Sequence, residues 1–184
     1  MTEEAEDRPP FSFHKVCVFL SLMGQKVVIF RKRIAGLSSS TLERFVLRAR
    51  RAVPLHDPVN ILVTSSSELR SLNRQFRGLD KPTDVLSFPS PLECREAQRS
   101  AGDVAISADI ARENARRLGH SISDEIKILA LHGILHLAGF DHEHDKGEMA
   151  REESRLRQQL KLESSLIERT ARRDHPPGAS RKPA

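Results

Sequence analysis

Three imidazoles recur at offsets of four and six residues in the stretch Leu131-His132-Gly133-Ile134-Leu135-His136-Leu137-Ala138-Gly139-Phe140-Asp141-His142, a spacing that suits a metal ion. On a helix, side chains four apart stack on one face with about 5–6 Å between their Cβ atoms, so His132 and His136 can point at one ion. Gly139 can take the left-handed conformation that stops the helix, after which the chain turns back and His142 delivers a third nitrogen. Three neutral nitrogens leave a fourth tetrahedral position for water or substrate, the layout of a catalytic zinc rather than a closed structural one. Four of the chain's eight histidines fall between His132 and His144, so the ligand reading outweighs that of ordinary core or surface histidines. His144, flanked by Glu143 and Asp145, reads as solvent-exposed or as a neighbour of the ligands, not as a fourth ligand.

The same frame fits the zinc-peptidase pattern H-E-x-x-H-x-x-G-x-x-H at every named position but one. Where those peptidases carry the glutamate that takes a proton from water, this chain has Gly133, which accepts none. Peptide hydrolysis therefore lacks its base.

The elements that must position these groups alternate in the sequence. Val27 to Phe30 is a short β-prone run, followed by the basic Arg31-Lys32-Arg33 and a serine turn. Ser40 with Glu43 forms a capping box, and Leu42, Phe45, Val46, Ala49 and Val53 then keep helical spacing up to Pro54. Val59 to Thr64 is a second strand. Ser65 with Glu68 opens another helix whose Leu69, Leu72 and Phe76 form one stripe, ending at Gly78 with Arg77 beside the negative end of the macrodipole. A strand begins after Pro82, residues 90–101 read as a flexible surface loop, and Gly102 to Ser107 is a further strand. Ser107 caps a helix with Ala108, Ala111, Ala115 and Leu118 on one side, stopped by Gly119. Ser121 or Ser123 caps the histidine helix, which is apolar nearly all round and so reads as the central buried one. Imidazoles among leucines are costly unless coordination satisfies them, which supports the ligand reading independently. From about Lys146 to Leu162 the chain reads as a charged surface helix with Glu153 and Arg157 at the i,i+4 distance.

At 184 residues the chain is expected to form one compact domain. We divide it into an extension of unknown role (1–24), a metal-dependent domain (25–164) and a disordered basic tail (165–184). A net charge of +5 favours polyanionic partners, but with no Trp or Tyr and eight Phe an extended stacking platform is not expected. Cys17 and Cys94 are isolated thiols without a motif, which implies a reducing compartment and no disulfide. The apolar run from Val16 to Met23 is far short of the roughly 20 residues of a bilayer span. Glu3, Glu4, Glu6 and Asp7 make the leading segment acidic where a secretory signal is basic, and Met23 is an alternative start. No membrane partner and a cytoplasmic location are expected.

Taken together, Leu72-Asn73 with Arg77 and Asp80-Lys81-Pro82-Thr83-Asp84-Val85-Leu86-Ser87-Phe88-Pro89, then Gly102-Asp103-Val104-Ala105-Ile106-Ser107, then the histidine stretch, resemble the YbeY family of bacterial rRNA maturation factors, metal-dependent endoribonucleases. The resemblance runs from about Val27 to Leu160. It implies an α/β (α+β) domain with a small mixed sheet packed with helices around the histidine helix, and one zinc ion held by His132, His136 and His142. It also implies that Arg77 stands at the family's functional arginine, and that the activity is cleavage of single-stranded RNA, processing of the 3′ end of small-subunit (16S) rRNA, and ribosome quality control. The implied partners are single-stranded rRNA and the small ribosomal subunit, with no DNA expected. Three departures stand out: Leu79 where a basic residue is common, Phe140 at a frequent Tyr position, and His144 in place of an acidic residue. None removes a ligand. In such an enzyme Arg77 would hold the scissile phosphate in its fork, and Asp141, His144 and Asp84 are the candidates for the proton donor to the leaving oxygen. The rival readings are a non-catalytic RNA-binding ribosome-assembly factor with a structural zinc, and a zinc metallopeptidase.

Overall fold

The computed structural model describes residues 27–91 and 100–162. The expected leading extension, Cys17, Cys94 with most of its loop, and the basic tail lie outside the described residues. The elements run β1 (Val28–Phe30), α1 (Ser39–Ala52), β2 (Val59–Thr64), α2 (Ser66–Arg77), β3 (Val85–Pro89), β4 (Gly102–Ser107), α3 (Ala108–Leu118), α4 (Ile122–Leu137) and α5 (Glu148–Leu160). The strands form a mixed sheet of order β1-β2-β4-β3. β1 and β4 flank β2 in parallel, with Val28 opposite Ile61 and Ile61 opposite Val104, while β3 runs antiparallel along the outer side of β4 with Ser87 opposite Val104. Pro89 is tolerated because β3 is an edge strand, where a missing N–H breaks no interior ladder.

The pleat sorts the side chains onto two covered faces. Val28, Val59, Ile61, Val63, Val104 and Ile106 point to the side packed by α1, α4 and α5. Leu62, Leu86 and Ala105 point to the other, where Leu69, Leu72 and Phe76 of α2 cover them. A parallel strand buried on both faces has no polar side to show, which is why β2 reads as a nearly continuous apolar run.

Serines open most of the helices. Ser65, Ser107 and Ser121 accept hydrogen bonds from the backbone N–H groups of Glu68 (3.3 Å), Ile110 (3.2 Å) and Asp124 (3.0 Å), so Ser121 and not Ser123 caps α4. In α1 the cap is Ser38, accepting from Thr41 N–H at 3.2 Å, two residues ahead of the expected Ser40–Glu43 box. Three consecutive serines offer equivalent hydroxyls, and composition does not choose among them. The expected apolar stripe of α1 is buried throughout, whereas Leu118 at the end of α3 is 38 % exposed and leaves the stripe of Ala108, Ala111 and Ala115.

Helix α4 lies on β3 and β4, and at Gly133 it leaves no room for a side chain. A Cβ there would stand 2.5 Å and 2.9 Å from the two Cγ atoms of Val104. Without one, the helix backbone reaches the sheet and the Ser87 hydroxyl donates to the Gly133 carbonyl at 3.3 Å.

The last helix corrects the sequence reading. α5 is not a surface helix: Met149, Glu153, Leu156, Arg157 and Leu160 are all buried. Positions 149, 153, 156 and 160 are a helical stripe, hidden in the sequence because one member is a carboxylate and the flanking residues are mostly charged. Glu153 and Arg157 are 0 % and 2 % exposed, with Arg157 Nη1 3.8 Å from Glu153 Oε1. Among the described residues no helix is long and apolar enough to cross a membrane.

Candidate metal centre

Helix α4 stops where Gly139 adopts φ 93°, and the turn is closed by Gly139 N–H to the His136 carbonyl (3.0 Å) and Phe140 N–H to the Leu135 carbonyl (3.1 Å). That turn folds the following residues back over the last helical turn. The His142 ring consequently lies 5.2 Å from those of both His132 and His136, which are 4.8 Å apart, and one ligand nitrogen from each of the three falls within 4.8 Å of the others. His132 is buried, His136 half-buried and His142 exposed, so the triangle opens to solvent on the His142 side.

Hydrogen bonds orient the rings. His136 Nδ1 lies 2.9 Å from the Phe140 carbonyl oxygen, which can only accept, so Nδ1 carries the proton. His132 Nδ1 lies 3.0 Å from the carboxylate Oε2 of Glu153 and donates likewise. In the neutral rings both Nε2 atoms are then bare acceptors, yet they face each other at 3.2 Å. Two lone pairs at that distance call for a cation between them, and nitrogens about 2.0–2.1 Å from a tetrahedral zinc stand roughly 3.3 Å apart. The residues present therefore fit the group. Burial pushes the His136 imidazole down to about 4, with the neighbouring His132 and His142 adding to the effect. A neutral ring at neutral pH is the form that coordinates.

The remaining residues named from the sequence are distributed unevenly. Asp141 and His144 stand beside the cluster as an ion pair at 2.6 Å, with His144 81 % exposed. The hydrogen bond to His144 holds the Asp141 carboxyl below its ordinary value, and Asp141 raises His144 in turn. They line an open cleft with Gly139, Phe140 and Lys146. Arg77 is the exposed last residue of α2, the helix on the opposite face of the sheet, and no hydrogen bond joins it to the histidines among the described residues. Asp84 precedes β3, where it accepts from Val85 N–H at 3.0 Å and its carbonyl takes the Ser107 N–H at 2.8 Å. Glu153 is the residue that sequence reasoning missed. Its signal was a carboxylate inside the apolar stripe of α5, a place where a charge is costly unless something pairs with it.

Comparison with known proteins bears on the whole described fold. A family model for endoribonuclease YbeY matches residues 25–161. The chain belongs to the YbeY family. A YbeY endoribonuclease of Koribacter versatilis is 56 % identical over 79 % of this chain and 93 % of its own length, and one of Solibacter usitatus is 49 % identical over 77 % and 92 %. The solution structure of TM1509 from Thermotoga maritima superposes with a TM-score of 0.51 at 29 % identity, covering 84 % of this chain and 99 % of that one. Against the YbeY pattern, the departure at Phe140 is harmless to the cluster, since the backbone carbonyl and not the ring meets His136. Leu79 is 46 % exposed just past α2.

Proposed function

We propose that this chain is a zinc-dependent endoribonuclease that cuts single-stranded RNA at the 3′ end of small-subunit (16S) rRNA, in the cytoplasm and on the small ribosomal subunit. Membership of the YbeY family carries the coarser part, a function in rRNA maturation and ribosome quality control. The observation that carries the finer part is the open triangle of His132, His136 and His142, in which the bare Nε2 atoms of His132 and His136 face each other while both of these rings hold their protons on Nδ1. One zinc ion bound there supplies Lewis acidity toward a phosphate oxygen or an attacking water. The three histidines hold it and leave one side accessible. Arg77 binds the scissile phosphate through its planar fork; what supports this is its exposure, its lack of an ion-pair partner among the described residues, and its place in the family motif. Asp141 and His144 stand ahead of Asp84 as the proton donor to the leaving oxygen; what supports this is that Asp141 Oδ1 lies 3.9 Å from His142 Nδ1 and that Asp141 pairs with His144.

The peptidase reading finds no support at Gly133, where even a methyl group meets Val104, so a glutamate base has no room. The test is cleavage of an end-labelled single-stranded RNA by zinc-loaded protein, beside chelated protein and the His136→Ala and Arg77→Ala variants. Cleavage lost with chelator and in His136→Ala, and slowed in Arg77→Ala with binding retained, is the expected result. RNA binding without cleavage under any divalent metal would replace this reading by a non-catalytic assembly factor with a structural zinc.

A further inference from the structure

We propose that Glu153 is the positioning residue of the metal centre: through its contact with His132 Nδ1 it fixes which imidazole nitrogen faces the ion, and so makes α5 part of the site. The inference rests on the metal reading above. Burying a carboxylate and a guanidinium in an apolar stripe strips both of hydration, and apolar residues of similar volume would serve packing as well or better. Each oxygen of Glu153 has a neighbour on the described chain. Oε2 is 3.0 Å from His132 Nδ1, at hydrogen-bond distance, whereas Oε1 is 3.8 Å from Arg157 Nη1, beyond it. The histidine is the closer partner. A residue present only to neutralise Arg157 has no reason to lie nearer the imidazole.

The same helix holds the other side of the site. Asp145, three residues past His142, accepts from Gly147 N–H and Met149 N–H, each at 2.7 Å, and so ties the His142 loop to the first turn of α5. Glu153 then grips His132 about one turn further along. Its carboxylate also places a negative group directly behind a ring that must face a dication, which strengthens the ligand as well as orienting it.

The test measures zinc affinity by chelator competition, with circular dichroism and melting of each metal-free protein run in parallel. Glu153→Leu removes the acceptor and should weaken zinc binding by about 10–100-fold, while Glu153→Gln keeps an oxygen toward Nδ1–H and should lose less. The double variant Glu153→Gln/Arg157→Met removes both buried charges while keeping that oxygen, so it separates folding from metal affinity and should track Glu153→Gln. In the unaltered metal-free protein, long-range nitrogen–proton spectra should place the His132 proton on Nδ1. Folded Glu153→Leu and Glu153→Gln proteins that bind zinc within a factor of about two of wild type would overturn the proposal, leaving Glu153 as the counter-ion of Arg157. A His132 protonated on Nε2 would overturn it as well. Failure of the unaltered protein to bind zinc would overturn the metal reading itself, and this proposal with it.

Discussion

Burial at Asp103 raises its carboxyl to about 6, because β4 holds the residue 8 % exposed and the hydrogen bond from Asn60 Nδ2 at 2.8 Å offsets only part of the lost hydration. The folded value lies above the unfolded one, so the group favours folding while protonated, and that contribution is lost as the pH rises through about 6. Asp103→Asn keeps an oxygen for Asn60 and carries no charge. It should therefore stabilise the protein by on the order of 2 kcal/mol above neutrality and leave it unchanged near pH 3. Urea unfolding of both proteins across that range checks this; a constant difference at every pH would exclude a buried charge as the cause. His136 titrates with the opposite sign: its folded value is depressed to about 4, so the unfolded chain takes up the proton first and acid destabilises the metal-free protein.

At the scale of elements, the approach of α4 to the sheet depends on one missing methyl group. Gly133→Ala should cost about 1–3 kcal/mol by overpacking against Val104, and adding Val104→Ala should recover part of that loss even though it removes buried methyls of its own. Thermal melts of the two single variants and the double variant give the coupling; strictly additive losses would mean that the contact is relieved elsewhere. Much of this element was legible. The limits of β2 and β4, the serine caps of α2 and α3 and the glycine turn after α4 all follow from local chemistry, and local chemistry is what a single sequence exposes. The sequence-based reading of Gly133 as the loss of a catalytic base was incomplete for a different reason. Its structural cause is Val104, a residue of another element, and no spacing along the chain reveals that contact. α5 was misread on the same account: Glu153 and Arg157 look like a solvent-exposed pair until His132, twenty-one positions earlier, is placed beside them.

For the whole molecule, a ligand that binds only the folded state adds its binding free energy to stability. Zinc at about 1,000 times its dissociation constant should add about 4 kcal/mol, and a chelator should remove that gain from wild type while leaving the melt of His136→Ala unmoved. An equal response of both proteins to chelator would place the metal elsewhere. The histidine triad was legible because all three members fall between positions 132 and 142, whereas Arg77 was legible only as a motif residue, since its relation to the cluster depends on two faces of a sheet. That short span of the triad also bears on how the chain acquires its fold. Sheet pairing must bring Ile61 to Val28 and Val104 to Ile61, closures over some thirty to forty residues, which are slow steps in folding. The triad needs one helical turn and one reversal of direction, both local and fast. The triad's own turn can thus form early, but the Glu153 contact and the tie from Asp145 to α5 wait on the rest of the chain, so an ion that binds only the folded state is captured last.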